Sequence, residues 1–187
     1  MISTTPVDRI DWTSMLRRRW PTALAIAMAA VVLTGDDVQD SLSELVPLLA
    51  LEYLIVAKLG RREATWPTVA ALSVVIFAVA ALDAVPLPAV LAAIALAVLV
   101  WSAVDGQLFR SGGFQLQAVG MAGFGALAVV GLVVDPDVGR YVVAAAWLLH
   151  GVWDFVHIRR DQVVTRSYAE SCGVLDILVA FGLVFVV

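Results

Sequence analysis

Seven long apolar runs, each ended by charged or turn-forming residues, set the plan of this chain. They fall at about 19–35, 42–59, 66–83, 87–105, 114–134, 139–158 and 167–187. A helix needs roughly 17–25 predominantly apolar residues to cross a bilayer. The pattern therefore predicts a compact all-α bundle of seven transmembrane helices, with the first run at the short limit. Residues 1–187 form one transmembrane domain, and 1–18 form a short N-terminal segment on the cytoplasmic side. The stretch Asp83-Ala-Val-Pro-Leu-Pro88 predicts a tight hairpin between the third and fourth runs.

Local signals mark where the helices begin. Pro21 and Pro67 are placed for first helical turns, where a missing N–H costs nothing. Each belongs to a Trp-Pro-Thr triplet that follows a basic cluster, an arrangement suited to an interfacial helix start. Ser41 with Glu44, and Ser167 with Glu170, match the spacing of a capping box. The Arg17-Arg18-Arg19 cluster and the short run behind it also fit a cleaved signal peptide, which would leave six helices in the same orientation.

Charge placement then fixes an orientation. With the N-terminus inside, Arg9, Arg17, Arg18, Arg19, Lys58, Arg61, Arg62, Arg110, Arg159, Arg160 and Arg166 are cytoplasmic, and only Arg140 lies outside. The outer loops instead carry Asp36, Asp37, Asp40, Asp83, Asp135 and Asp137. This obeys the positive-inside rule and puts Val187 on the outer side. A multi-pass protein of a bacterial inner membrane is the expectation.

Composition agrees. The chain is 61% hydrophobic and 15% charged, against about 25% charged in soluble domains. A net charge of −4, with its basic residues confined to loops, gives no reason to expect a nucleic-acid partner. The single cysteine, Cys172, excludes an internal disulfide and a multi-cysteine zinc cluster. The expected partners are the lipid bilayer and a lipid-like ligand, and an oligomer is compatible with the sequence.

What breaks the apolar pattern is the candidate chemistry. A charged side chain at a helix centre costs about 2.5–3.5 kcal/mol on insertion scales, so it must face protein or water. Glu52, His150, Asp154 and Asp176 are such groups. By helical rise, His150 and Asp176 sit about 12–13 Å from the cytoplasmic border and Glu52 roughly 9–12 Å. The loop between the last two helices is short, so His150 is expected opposite Asp176, Asp154 opposite Cys172, and His157 opposite Tyr168. His150, Asp154 and His157 share one helix face at i, i+4 and i+7. Small residues at Ala169, Cys172, Gly173 and Ala180 allow a close helix neighbour.

Other polar positions read as structural: His157 as interfacial, Asp105, Gln115 and Gln117 as boundary residues, Cys172 as packing. His150, Asp154, Asp176 and Glu52 are the expected catalytic residues. Tyr53, Trp101, Trp147, Trp153 and Tyr168 are the expected aromatic walls, whose ring faces stabilise a developing cation. A metal, if present, would take His150, Asp154 and Asp176, although no HExxH, HxxxH or CxxC motif supports one. Carboxyl groups in an apolar bundle tend to keep their protons, and a neighbouring histidine exchanges them. The resulting expectation is an acid–base enzyme acting on a lipid or isoprenoid from a cavity open to the cytoplasm. A proton- or ion-coupled transporter and a non-catalytic assembly subunit are the alternatives. Glu52, Asp154 and Asp176 converging on one cavity would separate the enzyme from the assembly subunit.

Overall fold

The computed structural model describes residues 19–35, 37–110 and 112–186. Among them run seven α-helices: α1 (Trp20–Val32), α2 (Val38–Leu59), α3 (Thr65–Leu82), α4 (Leu87–Val104), α5 (Gly113–Val133), α6 (Pro136–Arg160) and α7 (Arg166–Phe185). Short 3-10 turns, Arg62–Ala64 and Gln107–Phe109, lead into α3 and follow α4. The helix order is the one the apolar runs predict. The expected sidedness of the N-terminal segment and of Val187 falls outside the described residues.

Five helices, α3 to α7, are long and apolar enough to cross a membrane. The first run is corrected: α1 has 13 helical residues, only about 20 Å at 1.5 Å per residue. Helix α2 has the length, at 22 residues, but carries Asp40, Glu44, Glu52 and Lys58. It is also the central helix, packed against α3, α4, α5 and α6. Enclosing this helix in protein removes Glu52 and Lys58 from an apolar exterior. Helix α1 lies on α7, and α6 and α7 form the most extensive pair in the bundle.

Both expected capping boxes fail. Helix α2 starts at Val38, a turn ahead of Ser41, and Gln39 donates to the Pro136 carbonyl at 3.0 Å. Helix α7 starts after Thr165, whose backbone N–H donates to Thr65 Oγ1 at 3.1 Å. Glu170 instead accepts a 2.8 Å hydrogen bond from Thr22 Oγ1 of α1, with Arg19 3.9 Å away. Tertiary partners hold these helix starts.

One end of the bundle is basic and cross-braced. Trp20 and Trp66 of the two Trp-Pro-Thr triplets meet at 5.4 Å between ring centroids, and Trp66 donates to Ser167. Arg62 forks onto Asp161 at 2.7 and 3.0 Å, tying the α2–α3 connection to the α6–α7 loop. The guanidinium beside Asp161 holds its carboxyl below the usual carboxylate range. The starts of α1, α3 and α7 therefore share one end, as the charge pattern predicts for odd-numbered helices.

Candidate functional site

Two glycines bring α6 and α7 together at the level of the acids. A Cβ built on Gly151 would lie 3.2 Å from the Cβ of Asp176. One built on Gly173 would lie 3.1 Å from the Cβ of Asp154 and 3.2 Å from the Phe155 ring. Each glycine thus sits against the carboxylate-bearing residue of the other helix. The helices approach closely because neither position has a side chain, as at small-residue interfaces in membranes.

The consequence is a fully buried polar cluster. His150, Asp154 and Asp176 have no exposed surface. His150 Nδ1 lies 2.7 Å from Asp176 Oδ2 and 3.5 Å from Asp154 Oδ2. The Tyr53 hydroxyl of α2 donates to Asp154 Oδ1. Cys172 Sγ lies 3.8 Å from the Tyr168 hydroxyl and 3.9 Å from Asp176 Oδ1. The His150 ring is T-shaped against Tyr53 and Phe124. Asp154 Oδ2 and His150 Nε2 have no hydrogen-bond partner among the described residues. The expected layer of His150 with Asp176 is present, and it places three helices around one polar centre.

His157 is corrected from an interfacial residue to a buried one. Its Nδ1 faces the Trp153 carbonyl at 2.9 Å and its Nε2 meets Gln117 Nε2 at 3.1 Å. With a backbone acceptor at Nδ1, that ring nitrogen carries the proton and Nε2 accepts from the Gln117 amide. Gln117, expected as a boundary residue, is therefore a buried partner of the polar stripe. Asp105 is likewise no free boundary residue, because Lys58 of α2 pairs with it.

Glu52 occupies a different face of α2 from its neighbour Tyr53, since successive helical residues turn by about 100°. It lines a cavity of about 180 Å³ shared by α1, α2, α3, α6 and α7. The other walls include Met28, Leu48, Ser73, Trp147, Tyr168 and Cys172. Glu52 is 2% exposed, and neither carboxyl oxygen has a hydrogen-bond partner among the described residues. Convergence is thus divided: His150, Asp154 and Asp176 meet directly, while Glu52 faces the adjoining cavity. Tyr168 and Cys172 belong to both.

Arg159 and Arg160, at the basic end of α6, do not line this cavity. Its walls also include Leu24 and Val32 of α1 and Val69 and Ile76 of α3. Of the expected aromatic walls, Trp147 and Tyr168 line the cavity. Tyr53 serves the cluster. Trp153 packs between Phe124 and His157. Trp101 is corrected outright: it is 54% exposed at the end of α4, under the Lys58 ammonium at 4.4 Å.

Cys172 was legible only as a small packing residue, and nothing in its spacing distinguishes a donor from a spacer. One donor atom each from His150, Asp154, Cys172 and Asp176 lies within 4.8 Å of all the others. Chemically, this set can share protons, hold a cation, or do both in turn. Comparison with protein-family models, with curated proteins and with solved structures yields no match, so the reading of this site rests on the chain's own residues.

Proposed function

We propose that this is a multi-pass inner-membrane protein, its basic end cytoplasmic, that performs acid–base chemistry on a lipid or isoprenoid. The observation carrying the proposal is Glu52, an acid without a partner among the described residues, at the inner wall of an apolar cavity beside a His–Asp–Asp cluster. Burying a polar group without a hydrogen bond costs roughly 1–3 kcal/mol in proteins. A helix-packing role gives no return for that cost at Glu52, whereas a ligand group reaching its carboxyl does.

The cavity suits a chain-like ligand. Its volume of about 180 Å³ is below the roughly 300 Å³ where drug-sized pockets begin. A prenyl or acyl chain would place only its reacting segment beside Glu52 and leave the rest in the slot between α1 and α3. Glu52 would exchange a proton with the ligand, and the cluster behind Tyr168 and Cys172 would accept or return it. Trp147 and Tyr168 would offer ring faces to positive charge developing on the ligand.

The test is native mass spectrometry of the protein purified in mild detergent, followed by incubation with extracted membrane lipids. A bound lipid or isoprenoid should be present, be displaced by Ser73→Trp, which fills the cavity, and be converted by the unaltered chain but not by Glu52→Gln. Retention of the same lipid by a folded Ser73→Trp protein would overturn the proposed cavity. Reporter fusions that place the α6–α7 loop outside would overturn the orientation.

A further inference from the structure

Asp154 and Asp176 pose a charge problem that the fold leaves open. Both are completely buried, and among the described residues His150 is the only basic side chain within ion-pair distance of either. One imidazolium balances one carboxylate. The Tyr53 hydroxyl satisfies one oxygen of Asp154 but brings no charge, and Asp154 Oδ2 remains without a hydrogen-bond partner. An uncompensated buried carboxylate is too costly to persist, so a further positive charge belongs in this cluster. It is either another proton or a cation.

We propose that His150, Asp154 and Asp176 bind a divalent transition-metal cation of the zinc type, with Cys172 beside the fourth position. The charges then close: two carboxylates, a neutral imidazole and a dication sum to zero. Donor chemistry selects the class of metal. Imidazole nitrogen, carboxylate oxygen and a nearby sulfur suit zinc and its neighbours, whereas magnesium and calcium take oxygen-only shells.

Geometry supports the same ion. Donors of a tetrahedral site with bonds near 2.1 Å stand roughly 3.4 Å apart. His150 Nδ1 stands 2.7 Å from Asp176 Oδ2 and 3.5 Å from Asp154 Oδ2, and one donor atom from each of the four residues lies within 4.8 Å of the others, a spread around that value. The donors come from facing turns of α6 and α7, held together at Gly151 and Gly173, so side-chain shifts of up to about 1 Å bring them to tetrahedral spacing. The Tyr53 hydroxyl on Asp154 is the kind of outer hydrogen bond that orients a ligating carboxylate. Cys172 also lines the Glu52 cavity, so the fourth position falls on the side from which a ligand would come. Three protein donors with a fourth position open to ligand is the arrangement of catalytic rather than structural zinc.

This site stands whether or not the ligand of the cavity is a lipid, and its test does not need turnover. The full chain, purified without a polyhistidine tag or chelator, is analysed for metals by mass spectrometry. It is then stripped and reloaded with Zn²⁺ or Co²⁺ alone. About one transition metal per chain is expected, with a tetrahedral Co²⁺ visible spectrum. The nearly isosteric Asp154→Asn and Asp176→Asn should lose the metal while still eluting as folded protein. Cys172→Ser should keep the metal, because the sulfur stands beside the fourth position and is not one of the three protein ligands. Glu52→Gln should keep the metal, so loss of lipid conversion with retained metal would separate the two proposals. A folded wild-type chain that takes up neither Zn²⁺ nor Co²⁺ after reloading would refute the site, as would full occupancy in the Asp154→Asn, Asp176→Asn double variant. Either result would leave the cluster as a proton-sharing group.

Discussion

Gly173→Ala tests whether close approach of α6 and α7 builds the site. The added methyl would lie 3.1 Å from Asp154 Cβ and 3.2 and 3.3 Å from two atoms of the Phe155 ring. Ordinary carbon contacts lie at about 3.5–4.0 Å, so the overlap is roughly half an ångström on two sides. Asp154 cannot turn away without giving up Tyr53, so the strain falls on the helix separation. Overpacking of this kind costs about 1–3 kcal/mol. Alanine recovers about 1 kcal/mol through its better helix propensity. The net loss is about 0–2 kcal/mol, or a Tm lower by up to roughly 4–8 °C at 2–4 °C per kcal/mol. Gly151→Ala meets Asp176 Cβ at 3.2 Å and the Gly173 carbonyl at 3.3 Å, and should behave alike. Because one outward shift of α6 relieves both contacts, the double variant should lose less than the sum of the two. Gly123→Ala and Gly125→Ala, whose Cβ atoms meet nothing within 4 Å, are the controls. Thermal unfolding in detergent, followed by intrinsic tryptophan fluorescence, measures all five variants. If Gly173→Ala is as stable as Gly125→Ala and the site keeps its metal or its activity, close approach is not what assembles the cluster.

Three further outcomes are expected. Tyr53→Phe removes the hydroxyl that satisfies Asp154 Oδ1 and should destabilise by about 1–3 kcal/mol, read in the same unfolding assay; an unchanged Tm would mean water or another group replaces it. Glu52→Leu should raise stability by about 1–3 kcal/mol, because an unpartnered carboxyl leaves an apolar cavity, while ligand conversion is lost; a drop in Tm would reveal a hidden partner. Asp161 has a lowered folded pKa because Arg62 grips its carboxylate. Its contribution is therefore present above the unfolded carboxylate pKa, about 3.9, and fades as pH falls through the lower folded value. Limited proteolysis with an acid-active protease should cut the α6–α7 loop more readily at pH 3 than at pH 5, and Asp161→Asn should abolish that difference.

The sequence by itself determined the helices and much of the polar axis. Apolar runs and first-turn prolines placed seven helices in order, because in this chain hydrophobic length is a strong local signal. The pairing of His150 with Asp176 was also legible, since a short loop between antiparallel helices leaves little freedom in register. The capping boxes misled because Gln39 on the Pro136 carbonyl and the Thr165 amide on Thr65 support earlier helix starts. Such contacts are far apart in the sequence.

Tertiary structure alone decided which way each uniformly apolar helix turns. Helix α4 buries Leu91, Ala95, Val98 and Ser102, and that rotation carries Trp101 outward to Lys58. A helix that is apolar all round offers no polar face from which to read the rotation. The same rule divides Glu52 from Tyr53. They are adjacent in sequence and both are buried in the central helix, yet about 100° of helical turn sends one to the cavity and the other to Asp154. Only the placement of the surrounding helices, with α1, α3, α6 and α7 walling the cavity at Glu52, turns that angle into two adjoining compartments.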